Sequence, residues 1–533
     1  MKIEINQIEL PLQYSDDNII TALANKLSCQ ENQILSWTIK RRSLDARPIR
    51  TAPVYSAVIE VELSSSYKPN FQGQDFTIIK ESNLINEFPE TTFSFRPVIV
   101  GAGVAGLMAA YYLAKSGAKP IILERGSKAE FRSVKVNNFW ENGILDLNDN
   151  VLFGEGGAGL FSDGKLTTRS KDKGRIFDFY NILSLCKAPE ETFINAEPHL
   201  GSDVLIKIIP NLRKHIESLG GTFFYNTPMT DLEISNGSIT GVITDKLKFE
   251  TKALILATGH SARDVYELLS KKNIELEQKP FAVGIRLEIP QDQINTARYR
   301  KFKDHPSLEP ASFKLTRLPE INCRPCYTFC MCPGGRVIAC ANESNRLTTN
   351  GMSYSNRNLK YGNAAFIVPV MPSDFKDCTG IYEDKALYGL NFQIKIEEAA
   401  FNAAGKDFSL PALMLEDFLL SKVSLTLPHD RSCPRSLPAS FDEIFPDFIL
   451  NTLRIQIPAM LSQLKGTQRA DAIVYAPETR SSSPVRILRN DYGYSPSVKG
   501  LYPIGEGAGY SGGIVSSAID GLKIAGYVAL SAL

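Results

Sequence analysis

The residues of this chain best suited to hold a phosphorylated ligand are three glycines, a carboxylate and the free amides of a helix start. Residues 98–124 read VIVGAGVAGLMAAYYLAKSGAKPIILE. Gly101, Gly103 and Gly106 form G-x-G-x-x-G between an apolar strand and an apolar helix. The first glycine permits a tight turn, the second lets backbone approach a pyrophosphate, and the third lets helix pack on strand. Ala102, Val104 and Ala105 lie between them, where amides and the helix dipole favour phosphate. Glu124 ends the next strand at the spacing of a carboxylate that accepts ribose hydroxyls, with Arg125 beside it.

A second constellation comes some 400 residues later, in LYPIGEGAGYSGGIVSSAIDG from Leu501. A strand ends in Gly505-Glu506, and a helix opens near Gly512, Gly513 and Ile514. An acid and a helix N-terminus returning to a first glycine unit suit the ribityl chain and the pyrimidine end of FAD, where the dipole favours charge on the reduced ring. This pairing separates FAD from NAD. No second G-x-G-x-x-G of comparable quality is present, so NAD(P)H is expected only as a donor docking transiently at the flavin.

Between these segments lie further candidates. LFGEGGAGLFSDGKLTTR, from Leu152, places five glycines within eleven residues. Gly156, Gly157 and Gly164 make a loop whose amides could surround phosphate or flavin, and Ser162, Asp163 and Lys165 could reach the ring or ribityl. Met229 and the Ala257-Thr258-Gly259 strand end are assigned to the same crevice, which puts His260 within reach as an acid or base. In ETRSSSPVR, Arg480 could bind a substrate carboxylate or a flavin oxygen, with Ser482 beside it, or could form a structural ion pair, for example with Glu478. Cys323, Cys326, Cys330 and Cys332 could be structural, redox-active or metal-binding thiols. Their spacing departs from paired zinc knuckles, and no metal site is assigned. Alternation around Met331 suggests a strand with Cys330 and Cys332 on one face.

The elements that must position these groups divide the chain in four. Residues 1–95 read as a small α+β domain ending in a polar linker from Ser64 to Thr92. Residues 96–275 and 467–533 carry the two nucleotide segments, and 276–466, which lack the βαβ rhythm, read as an inserted substrate domain with a helix-rich part that includes 412–422. The Asn236-Gly237 turn predicts a hairpin. The basic run KRRSLDARPIR (40–50) suits either a solvated strand end or an RNA or partner contact through Lys40–Arg42 and Arg47. With 533 residues, 43% hydrophobic and 22% charged, a net charge of +1 and nine cysteines, the expectation is a soluble, cytoplasmic, multidomain protein. No secretory signal, membrane span or nucleic acid is expected, and oligomeric state is left open.

With those motifs in place, the chain resembles the bacterial FAD-dependent dehydrogenase-like proteins, also described as NAD-utilizing dehydrogenases. RRSLDAR, VIVGAGVAGL, NNFWENG, FGEGGAGLFSDGKLTTR, ATGHSARD, YTFCMCPGG, NGMSYSNR, ETRSSSPVRI and GLYPIGEGAGYSGGI carry the resemblance. It implies an α/β architecture: a glutathione-reductase-like FAD-binding Rossmann fold with an inserted α+β substrate domain, preceded by a ferredoxin-like α+β module. The expected activity is hydride transfer through flavin N5 to or from a small molecule. The alternative is a non-catalytic flavoprotein, linked to RNA or a partner, with FAD as a structural or redox-sensing group.

Overall fold

The computed structural model describes residues 1–67, 75–79, 88, 90–319 and 323–531. At the N-terminus, the strands Lys2–Leu10, Ile34–Asp45, Val54–Leu63 and Phe76–Ile78 form an antiparallel sheet in the order 34–45, 54–63, 2–10, 76–78. Alternation buries Ile3, Ile5, Ile8 and Leu10 against Ile19, Leu23 and Leu27 of the helix Asp16–Leu27. Ser15 and Asn18 start that helix with a reciprocal capping box, which satisfies amides that have no partner within the helix. The stretch read as a linker thus contributes a strand at Phe76–Ile78, while its residues 68–74, 80–87 and 89 lie outside the described residues.

The basic run is largely matched within the same sheet. Lys40 pairs with Glu60, Arg47 with Asp45, and Arg50 with Asp45 and Glu9. Arg42 turns instead toward Tyr14 and Asn195.

The second unit is a mixed α/β layer built on a parallel sheet. Leu501–Pro503, Leu254–Leu256, Val98–Val100, Ile121–Leu123 and Thr222–Phe224 lie side by side in that order. The four strands up to Ile121–Leu123 are apolar and buried, as a parallel sheet covered on both faces requires, and the edge strand Thr222–Phe224 is half-buried. The hairpin Met229–Ser235 and Ser238–Thr244 turns at Asn236 and Gly237, both with positive φ. The helix Ile514–Ser531 packs on the helix Val104–Lys115 so closely that a Cβ on Gly521 would lie 2.2 Å from Ala105 O. Among the described residues, Ile514–Ser531 is long and apolar enough to cross a membrane by length and composition, yet most of it is buried in the core.

The third unit is a large, mostly antiparallel sheet. Its centre is Cys326–Cys340, Tyr361–Val370, Phe281–Pro290, Ile473–Glu478 and Leu410–Met414, with Thr348–Met352 paired to Cys326–Cys340. Two sequence boundaries change here. Ile473–Glu478, assigned to the returning nucleotide segment, lies inside this sheet, because its apolar run suits a central strand of either sheet. Leu410–Met414 is a strand and Leu415–Leu419 a short helix, where one helical stretch over 412–422 was expected.

Candidate active site

Because the five strands run parallel, Gly101, Glu124, Ala257 and Gly505 emerge on one edge of the sheet, where such folds bind ligands. Gly101 has φ +102°, and a Cβ there would lie 2.4 Å from Ala257 O. One on Gly106 would lie 2.0 Å from Gly101 O. Protein packing therefore accounts for both. Gly103 is different: its nearest neighbour would be Gly157 Cα at 3.7 Å, and it starts the helix without a side-chain cap.

The glycine-rich loop lies directly on this turn. Gly156 N donates to Ala102 O at 2.8 Å, and Gly103 bridges Gly156. Glu124 ties the two together. Its Oε2 accepts from Ala102 N at 2.8 Å, and its Oε1 from Gly126 N at 2.9 Å and Gly154 N at 3.1 Å. A carboxylate has about four acceptor sites, so one remains for a ribose hydroxyl. Arg125 leans over Phe153 and pairs with Asp264 at 2.7 Å. Met229 is buried in the core with Val100, Leu123 and Phe153, so its side chain packs beneath the crevice.

Sequence reasoning missed the residue that shapes the loop. Arg132, wholly buried, donates to the carbonyls of Asn150, Val151, Gly154, Glu155 and Gly157. Burial pushes its guanidinium down to about 10, opposed by Glu124, Asp149 and Glu155. Glu155 fixes the loop from the other side through Ala129 N, Arg213 and Tyr225. Arg132 shares a buried helix face with Ala129, Val136 and Phe139, but its carbonyl partners, 18 to 25 residues away, are set by tertiary packing.

The opposite rim is the start of the terminal helix. A Cβ on Gly512 or Gly513 would meet nothing within 4 Å, and neither glycine has positive φ. Ile514 reaches the Gly159 part of the loop. Gly259 also faces open space, with φ +72°. Beyond it, His260 Nδ1 lies 3.4 Å from Glu506 Oε2, while His260 Nε2 and Ser261 Oγ are buried without a hydrogen-bond partner. Gly505 N donates to Asp520, which Arg489 holds with both ends of its guanidinium.

The facing wall belongs to the large sheet and is built from ion pairs. Asp163 is not free for a ligand: it pairs with Arg357 and accepts from Ser353, joining the loop to the large sheet. Ser162 spends its hydroxyl on Gly159 O and Gly164 N. Lys165 remains a half-buried cation whose Nζ donates to Met331 O, with no carboxylate partner among the described residues. Arg480 is claimed, and by Glu397 rather than the adjacent Glu478. Glu397 receives both Arg480 and Arg263 in two-point contacts at 2.8–2.9 Å, which hold its carboxyl far below the usual range despite burial. Glu478 instead pairs with buried Arg286. Ser482 is half-buried and makes no hydrogen bond among the described residues, while Ser483 bonds Tyr266, whose hydroxyl also donates to Gly507 O.

The cysteines do not share a face. The strand bulges between Phe329 and Cys332, Cys330 takes φ +42° and is exposed, and Cys332 is buried, where burial pushes its thiol up to about 11.

Gly103, Gly512 and Gly513 are the residues that protein packing does not explain. None has strained backbone, and a Cβ on any of them would lie no closer than 3.7 Å to a neighbouring atom. With the unpartnered His260 and Ser261 atoms, they outline a cradle with room at backbone level for a bound group. A dinucleotide with a planar ring fits that lining.

Comparison with known proteins agrees. Residues 280–481 match the family described as "FAD-dependent protein, C-terminal domain-like", residues 95–279 match "Pyridine nucleotide-disulphide oxidoreductase", and residues 2–60 match a domain of unknown function. An uncharacterized protein of Clostridium beijerinckii is 38% identical, over 99% of this chain and 98% of its own length. Protein FixC of Escherichia coli K12 is 26% identical over 38% of this chain and 45% of its own. Among solved structures, CtdE in complex with FAD covers 82% of this chain and 84% of its own, with 13% identity and a TM-score of 0.34.

Proposed function

Because the chain belongs to the FAD-dependent oxidoreductase family, we propose that it binds FAD in a glutathione-reductase-like crevice and oxidises or reduces a small molecule held against the large sheet. The observation that carries this reading is the set of glycines 103, 512 and 513, whose identity nothing in the protein demands. Amides of residues 103–106 would hold the pyrophosphate and the last acceptor of Glu124 a ribose hydroxyl. Glu506 would serve the ribityl chain, and the amides of Gly512–Ile514 the pyrimidine end.

Bound FAD would supply a two-electron acceptor and donor. The chain's own part is positional. The Asp163–Arg357 pair fixes the loop that carries Lys165, and Lys165 keeps donors for an oxygen of substrate or ring. His260, steadied by Glu506, has Nε2 available to take or give a proton. NAD(P)H would act as a transient donor, since no second nucleotide fold was found in the sequence. The N-terminal strand order supports reading that domain as a ferredoxin-like module.

Reconstitution tests the core of this. Protein unfolded, refolded with excess FAD and desalted should keep one flavin per chain and its yellow colour. A colourless product would overturn the reading. Anaerobic mixing with NADH or NADPH should then bleach the flavin; no bleaching with either would remove the nicotinamide donor.

A further inference from the structure

The N-terminal domain makes a specific contact with the loop of the proposed site. The strand Ile34–Asp45 is the edge of its sheet. Its free edge pairs with the segment 195–196: Ala196 N donates to Arg42 O at 2.8 Å, Arg42 bridges Asn195, and Arg42 Nε donates to Asn195 Oδ1 at 2.8 Å. Tyr14 accepts from the same guanidinium at 2.8 Å, and the Tyr55 ring lies beneath it at 5.1 Å.

The segment carrying Asn195 continues directly to the loop that bears Lys165. Leu166 N donates to Pro198 O at 2.8 Å, Leu200 N to Gly164 O at 3.1 Å, and Gly201 N to Asp163 O at 3.2 Å. Lys165 itself bridges His199. Residues 195–201 are therefore a two-edged strip, with Arg42 on one edge and the 163–166 backbone on the other. The domain is also anchored to the large sheet's unit: Tyr55 Oη donates to Ser307 O at 3.0 Å, and Arg300 donates to the carbonyls of Arg47 and Pro48. It thus touches both the strip and the large sheet's unit, and a small movement of the strip would move the Lys165 backbone with it.

We infer that the N-terminal domain is a brace for the Lys165 loop, with Arg42 and Asn195 as positioning residues. This rests on the reading of Lys165 as a crevice residue. An appended domain that merely packed would need apolar contact. Here Leu44 and Ala46 do pack on the large-sheet core, but a half-buried cation and a backbone pairing are in addition directed at a strip that borders the loop.

Hydrogen exchange read by mass spectrometry on the full-length protein tests the brace without reference to FAD. In Asn195→Ala, amides of 163–166 and 195–201 should exchange about tenfold faster, the scale of one lost charge-assisted hydrogen bond. Peptides from 98–124 should be unchanged. Asn195→Asp keeps an acceptor for Arg42 and should restore protection. Wild-type exchange at 163–166 in Asn195→Ala, or a general increase that Asn195→Asp fails to rescue, would overturn the inference. This variant leaves the N-terminal domain's own sequence intact, so loss of that domain's fold cannot mimic the result. With FAD loaded, N195A should shift the flavin's visible spectrum in the direction of Lys165→Gln, and the double variant should shift no further. Additive shifts would show that Asn195 acts elsewhere. Absence of any bound flavin would remove the proposed function and leave the exchange result to decide the brace.

Discussion

The crevice has two walls built on opposite principles. The parallel-sheet wall is backbone: Gly103, Gly512 and Gly513 present amides and open space, and Glu124 is held by three amides. The large-sheet wall is side chain: Arg286–Glu478, Arg357–Asp163 and the Arg263–Glu397–Arg480 set are buried and mutually satisfied. A backbone wall recognises what every dinucleotide shares. A wall of closed ion pairs gives rigidity and joins the units; among the described residues, Lys165 and the half-buried Ser482 keep donors to meet a ligand. The first wall should therefore be sensitive in cofactor affinity and the second in stability.

The largest expected effect lies on the charged wall. Glu397→Ala leaves Arg263 and Arg480 buried without their shared carboxylate, and breaking such a set costs about 3–5 kcal/mol. Chemical denaturation should report it as a lower midpoint with an unchanged slope. The same site sets an acid limit. Glu397 is held below its ordinary value of 4.5, so its stabilisation is complete above that value and is lost as pH falls below it toward the folded value. Glu397→Gln should start less stable at neutral pH and show a smaller further loss below about pH 4. Equal acid slopes in both proteins would place the sensitivity elsewhere.

Next in size is Gly106→Ala, whose Cβ would lie 2.0 Å from Gly101 O. Overpacking of this kind costs about 1–3 kcal/mol or more, and thermal unfolding of the flavin-free protein should already register it. Gly103→Ala and Gly512→Ala sharpen the contrast. Neither would clash with protein, so flavin-free stability should stay within about 1 kcal/mol of wild type. FAD affinity should fall about tenfold or more as the cradle fills, about 1.4 kcal/mol. If Gly512→Ala left affinity untouched, the open glycines would not line the cofactor.

The same contrast explains what the sequence made legible. Gly101, Gly106 and Glu124 stand within one βαβ unit, and their roles follow from local spacing. Charged partners do not: Arg263 and Glu397 are 134 residues apart, and Arg286 and Glu478 are 192 apart. Arg480 read either as a ligand group or as the ion-pair partner of its visible neighbour Glu478, whereas tertiary packing supplied Glu397. The Cys330 bulge inverted a face assignment because period-two alternation holds only in an unbroken ladder. Ile473–Glu478 was misplaced since an apolar strand does not name its sheet. Arg132 was missed because helical periodicity cannot tell a solvated arginine from one that organises five carbonyls.

The smallest effect tests the boundary between the walls. Arg125 follows Glu124 directly, and it is committed to Phe153 at 4.3 Å and to the exposed Asp264. A pair with one exposed member and a cation over a ring contributes about 1 kcal/mol or less. Arg125→Ala should therefore lower stability by no more than that. If the nucleotide wall works through its amides and carboxylates without Arg125, the change should also leave FAD affinity within about threefold, under 1 kcal/mol. Titration of the flavin-free protein by fluorescence quenching measures this directly. A loss of tenfold would mean that Arg125 leaves Asp264 to meet the adenosine end, and that the glycine wall recruits a side chain when it binds.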